Sequence, residues 1–316
     1  MRHCADLVTS TERQEPIQKC FRSLAFISKF IIQSRQLFAR ATQGQNEDGF
    51  RMDVHLLFNS FNKMLSVSYE TILPAQILFL EHIHATYPNL LKELPALDLA
   101  KLVTLMLDSV TKDAKLMNAK MKALSHVINS QIFQDSESRA LLLPTCCEHL
   151  KMHLLGREEL RLCSDILGDI IEFLSKTQSD PNDSVPRDIN VLVEIIMQPL
   201  AHTLINMEKD ILSTIVVCIH YSVLYIMIVI ILHFFQGGLV SRLLGLFQLM
   251  DEQPYVHLWE RLGSKEAIKD FLLNIFHLFN ELVSKDIYPS EWATMRFMAI
   301  NVLLKTLQVC RVTGPK

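Results

Sequence analysis

From Ile17 onward, apolar residues recur at three- and four-residue intervals: Ile17, Cys20, Phe21, Leu24, Ile27, Phe30, Ile31, Leu37 and Phe38. That spacing places them on one stripe of a helix and predicts that the stripe faces a core. The polar segment 42–49 ends it. A second helix is expected over 52–67, with Val54, Leu57, Phe58, Phe61 and Leu65 on its stripe. A third is expected over 74–86, since Pro74 is tolerated in a first turn. Pro88 and Pro95 then break the pattern, and Asp98 reads as the N-cap of a fourth helix. The same design continues downstream. Helices are predicted over 117–128, over 136–155 with a kink at Pro144, and over 157–176 after Gly156 as a C′ residue. The last of these carries Leu160, Cys163, Ile166, Leu167, Ile170 and Leu174 on one face. A Pro-containing loop at 177–187 precedes a helix over 188–208, and helical spacing resumes at 240–249, 267–283 and 291–307.

One stretch breaks the alternation of apolar and polar faces. Residues 211–235, ILSTIVVCIHYSVLYIMIVIILHFF, contain no Asp, Glu, Lys or Arg. As a helix the run would be about 37 Å long, enough to cross a hydrocarbon core of ~30 Å. Lys209 precedes it and Arg242 follows it, so basic residues give no orientation bias. The evenly charged amphipathic helices on both sides call for water on both sides. Three readings of the run therefore stand together: a membrane span, a buried helix, or an insertion. Its composition also suits translated non-coding sequence, as a retained short intron would supply.

No strand pair is evident, and only nine Gly occur in 316 residues, which disfavours loop-rich or β-rich architectures. The predicted fold class is all-α: an irregular armadillo- or tetratricopeptide-like helical-repeat array, an α-solenoid with an anomalous apolar helix at 211–235. Each helix pair would bury its stripe against the next. No fixed-period consensus is visible, and an irregular bundle is the competing arrangement. The organisation expected is a first helical-repeat part at 1–210, the apolar insertion at 211–236, and a second helical-repeat part at 237–316.

Charge changes the picture little. Lys and Arg total 31 and Asp and Glu 34, for a net charge of −3, and the signs are interspersed. Nothing here steers nucleic acid or an anionic membrane surface. The seven Cys form no Cys-x-x-Cys pair, so reduced thiols in the cytoplasm are expected rather than a disulfide framework. The N-terminal residues lack the apolar segment of a signal peptide, and both ends read as cuts through a larger protein.

Candidate chemistry is sparse. Cys146, Cys147, His149 and His153 form the best metal candidate, since His149 and His153 are one helical turn apart. Adjacent cysteines diverge by about 100° on a helix, so one turn cannot deliver four ligands. Asp165, Asp169 and Glu172 lie at i, i+4 and i+7, but opposite an apolar stripe, where a solvated face belongs. His82 and His84 are two apart and should diverge, and Gly237-Gly238 reads as a helix stop. No phosphate-binding loop, dinucleotide fingerprint, nucleophile elbow or zinc-protease motif occurs. No catalytic, cofactor-binding or metal residue is assigned.

Several stretches carry a resemblance: FRSLAFISKFIIQSRQLFARA at 21–41, SQIFQDSESRALLLP at 130–144, LRLCSDILGDIIEFL at 160–174, LLGLFQLMDEQPYVHLWERL at 243–262 and FLLNIFHLFNELVSKDIYPSEWATMRFM at 271–298. In this order they resemble the central helical region of the DOCK (dedicator of cytokinesis) guanine-nucleotide exchange factors, and the wording is closest to the Rac-directed members. The resemblance implies a non-catalytic scaffold between a lipid-binding C2-like domain and an exchange domain, neither of which is recognisable here. It implies protein partners, Rho/Rac GTPases and adaptors, met through the parent protein. It implies no small-molecule substrate, and membrane contact only peripherally, through the other domains. The parent would be cytoplasmic with recruitment to the plasma membrane. Relative to the family pattern the run 211–235 is extra. The alternative class is a single-pass membrane-anchored helical protein.

Overall fold

The computed structural model describes residues 14–44, 47–111, 113–178, 184–217, 238–284 and 293–313. Among them every regular element is helical, as the periodicity predicts. The helices are α1 (Gln14–Arg22), α2 (Leu24–Thr42), α3 (Glu47–Leu65), α4 (Leu73–His82), a 3₁₀ turn (Ile83–Thr86), α5 (Tyr87–Leu90), α6 (Ala96–Asp108) and α7 (Ala114–Ile128). They continue with α8 (Gln131–Gln134), α9 (Ser136–Gly156), α10 (Leu160–Thr177), α11 (Val185–Val217) and α12 (Gly238–Leu249). The last three are α13 (Glu252–Leu262), α14 (Lys265–Ser284) and α15 (Ala293–Thr313). The chain separates into two compact units, Met1–Thr145 and Cys146–Lys316. The division falls between Thr145 and Cys146, inside α9.

The first unit is built on aromatic packing. α4 lies against α1 and α7, and α3 against α6. Phe21, Phe61 and Phe79 meet at its centre, with ring centroids 5.4 Å apart for Phe21–Phe79 and 4.4 Å for Phe61–Phe79, and all three are buried. Buried polar groups here close helix ends. The Gln76 amide donates to the carbonyls of Met64 and Val67, both at 2.8 Å, which satisfies acceptors left open at the C-terminus of α3. Arg139, fully buried, donates to the carbonyls of Phe133 and Gln134 at 3.3 and 3.2 Å. Asp135 caps α9 by accepting from the Ser138 backbone and hydroxyl at 2.9 and 2.6 Å.

The second unit repeats the design with different residues. α11 packs on α10, α13 and α14, and α15 packs on α13 and α14. Phe247, Tyr255 and Phe279 share its core, with Phe247 centroids 6.2 Å from Tyr255 and 6.1 Å from Phe279. The buried Tyr255 hydroxyl is 2.8 Å from that of Thr306, so neither polar end is left unmatched. The Thr203 hydroxyl lies 2.9 Å from the Leu154 carbonyl and 2.8 Å from that of Pro199, tying α11 to α9.

Several sequence expectations change at this point. The stripe from Ile17 to Phe38 is not one helix: the chain turns at Ser23, between α1 and α2. Asp98 does not cap its helix. Pro95 precedes the first residue, and Asp98 sits in the first turn with Lys101 at 3.2 Å, where an acid suits the positive end of the helix. Gly156 is the last residue of α9, and the left-handed conformations fall to Arg157 and Glu159 instead. Gly238 opens α12 two residues ahead of the expected start, while a helix stop at Gly237 falls outside the described residues. α11 continues without interruption past Asp210 to Val217, because no Gly, Pro or cap signal intervenes. The rest of the apolar run, and loop residues 179–183, lie outside the described residues.

Candidate interaction surface

The sequence candidates for chemistry are dispersed. Cys146 and Cys147 are buried in the core of their unit, His153 is buried and His149 half-buried. Burial pushes the Cys147 thiol well above its usual range and raises Cys163 to about 12. Burial thus favours the neutral thiol at both positions. Among the described residues no three His, Cys, Asp or Glu side chains are grouped to hold a metal ion. Asp165 and Glu172 are exposed, and Glu172 pairs with Lys176 on the next turn, which lowers the affinity of its carboxylate for protons. His84 does not meet His82 in a shared site. Its ring stacks on that of His126 from α7, with centroids 3.7 Å apart and planes 16° from parallel. Burial lowers the proton affinity of both, and the proximity of His126 lowers that of His84 further. Parallel imidazoles do not aim their nitrogens at one point, so the stack is a packing contact.

What the units present instead is apolar surface on helices. On α2 the inward residues are Leu24, Ser28, Ile32 and Arg35, whereas Phe30 is 70% and Leu37 66% exposed, and Phe26 and Phe38 are exposed beside them. Of the stripe read from sequence, Ile17, Phe21 and Leu24 face inward, whereas Phe30, Ile31, Leu37 and Phe38 face out. The buried Ser28 accepts from the Asn89 amide at 3.2 Å, and the Arg35 guanidinium lies over the Phe38 and Phe50 rings at 5.6 and 5.8 Å. Those partners let polar residues face inward at a cost that pattern alone does not reveal. A pocket of about 350 Å³ opens beside this face, lined by Ile31, Ile32, Phe50, Val54 and Leu57 among others. Exposed apolar side chains grouped on one helix face are the kind of surface that contacts other surfaces.

The second unit contributes a close helix crossing. α12 approaches α10 through small residues: a Cβ at Gly238 would lie 2.9 Å from the Ser164 hydroxyl, and one at Gly245 would lie 3.2 Å from Ile171 Cγ2. A Cβ at Gly168 would lie 2.5 Å from the Arg242 guanidinium carbon, so that side chain lies flat over the glycine. Arg242 Nε donates to the Ser164 carbonyl at 3.0 Å. The segments on either side of the apolar run therefore pack directly on one another. The signal was present in the sequence as Ser164, Gly168 and Ile171 at i, i+4 and i+7 facing Gly238 and Gly245 at i and i+7. It is invisible until the two helices are known to be neighbours.

The family model of the Dedicator of cytokinesis (DOCK) TPR region matches residues 1–312. The chain belongs to the DOCK family. It is similar to Dedicator of cytokinesis protein 4 of Mus musculus, 31% identical over 310 residues, covering 96% of this chain and 15% of that protein. Dedicator of cytokinesis protein 3 of Mus musculus is 32% identical over 303 residues, covering 94% of this chain and 14% of that protein. The human protein 4 is likewise 31% identical over 310 residues, covering 96% of this chain and 15% of its own length. The chain thus spans about 15% of the length of the curated relatives it matches. All five segments quoted for the resemblance fall inside the matched region, and the helical array is that of a DOCK TPR region.

Proposed function

We propose that this chain is the non-catalytic framework of a DOCK-type guanine-nucleotide exchange factor acting on Rho/Rac GTPases in signalling to the actin cytoskeleton. The observation that carries the reading is the DOCK TPR match across 1–312, borne on stacked helices whose buried polar groups serve helix ends rather than a reaction. The mechanism is geometric. Close-packed helices hold fixed spacings, so flanking domains are kept at a set separation while exposed helix faces recruit protein partners. The setting proposed is the cytoplasm, with the parent protein drawn to the plasma membrane by domains other than this one. Purified chain added to a Rac-type GTPase loaded with fluorescent GDP is expected to leave the release rate at its spontaneous value. Stimulated release that rises with chain concentration overturns the reading.

A further inference from the structure

The stack of His84 on His126 joins two elements of the first unit. His84 sits in the 3₁₀ turn Ile83–Thr86, which packs against α2, α4, α5 and α7, and His126 lies in the last turn of α7. With centroids 3.7 Å apart the rings pack well while neutral, but two imidazolium ions at that spacing repel strongly. His84 Nδ1 is closed off from solvent and makes no well-formed hydrogen bond. The charged ring carries a proton on both nitrogens, so it would hold a buried donor there without an acceptor.

The helices around the turn supply little to offset a second positive charge. α2 brings only the bases Lys29, Arg35 and Arg40, and α7, besides His126, only Lys115, Lys120 and Lys122. α5 has no charged residue, and α4 brings His82 and the single carboxylate of the four helices, Glu81. Burial lowers the proton affinity of His84 most, and the nearby His126 and His82 lower it further, which outweighs the Glu81 carbonyl; burial lowers that of His126. An unfolded chain binds a proton at each ring near about pH 6.5, and the folded unit binds it only at lower pH. The stabilisation is therefore complete above about pH 6.5 and is lost as the pH falls through the lower folded values. We propose that the His84–His126 stack is an acid-sensitive latch: neutral, it holds α7 to the 3₁₀ turn, and charged, it releases them. Because α2 packs on the same turn, release also loosens the helix that carries the exposed Phe26 and Phe30. The latch goes beyond the scaffold reading and does not depend on it.

The test uses the full chain with isotope-labelled histidine rings, the His84 and His126 signals being assigned from His84→Gln and His126→Gln. Both rings are expected to titrate below about pH 6.5, and the His84 midpoint should rise in His126→Gln, which removes the neighbouring base. Hydrogen–deuterium exchange, corrected for the pH dependence of the intrinsic rate, then reads the latch. Between about pH 7.5 and about pH 5.5, peptides covering the 3₁₀ turn and α7 should lose protection about threefold or more, while those covering α10 keep theirs. His126→Phe retains a flat ring that cannot charge and should hold that loss below about twofold. His126→Gln takes its place if the Phe variant does not fold at neutral pH. Titration of either ring at or above about pH 6.5, unchanged protection on acidification, or the same loss in the variant overturns the proposal. So does equal loss in α10, which would be acid unfolding of the whole chain. None of these outcomes bears on GDP release, so the latch and the scaffold reading fail separately.

Discussion

Ser164 and Arg242 lie 78 residues apart in sequence, yet one hydrogen bond and one glycine hold their helices together. Replacing Gly168 by Ala opposes two effects. Helix propensity favours Ala by about 1 kcal/mol, and the added methyl displaces the guanidinium, which loses a bond worth about 1 kcal/mol. Gly168→Ala should therefore change unfolding free energy in urea by less than about 1 kcal/mol. Gly168→Leu has no room and should destabilise by about 1–3 kcal/mol. Removing the guanidinium as well, in Gly168→Leu with Arg242→Ala, should recover part of that loss. A Gly168→Leu protein as stable as the parent would show that the helices do not approach as described. At this scale sequence reading was least reliable. Phe30 and Leu37 belong to α2, which the periodicity ran together with α1, and which side is inward was decided by Arg35 and Ser28 finding partners on other elements.

Helices were far more legible than side chains. Periodic apolar spacing located α3, α4, α6, α7, α9, α10 and α14 within a few residues, because each buries a stripe against the next helix. The turn at Ser23 escaped, since no Gly or Pro marks it, and so did the four-residue helices α5 and α8, which are too short to show a period. The apolar run 211–235 drew attention by composition, but the described packing does not need all of it. α11 meets α13 and α14, with Glu194, ahead of the run, 3.7 Å from Arg261 of α13, and α12 meets α10 through Ser164, Gly168 and Gly238. We propose that residues 211–236 are an insertion dispensable for folding, in keeping with an origin as retained non-coding sequence. Replacing them with a Gly/Ser linker of equal length should shift the thermal midpoint by no more than a few degrees, as expected for a change of about 1 kcal/mol. A collapse of cooperative unfolding in the linker variant would show that the run belongs to the core.

For the whole molecule, two compact units each carry an aromatic centre and polar groups matched at helix ends, and the DOCK TPR family match extends over both. Among the described residues one segment, Val185–Met207, is long and apolar enough to cross a membrane, but 61% of its most apolar window is buried within the protein, as in a core helix. The all-α array was legible in composition and periodicity alone. The family needed several stretches in order, because no single one carries a chemical signature. The surfaces that would recruit partners were not legible, since exposure depends on which stripe wins the core. We propose that the array is held in water, with the apolar run unconnected to a bilayer. Carbonate extraction of membranes from cells expressing the full chain tests this most directly. Release of the chain into the supernatant is expected, and retention in the membrane pellet alongside an integral marker would contradict it.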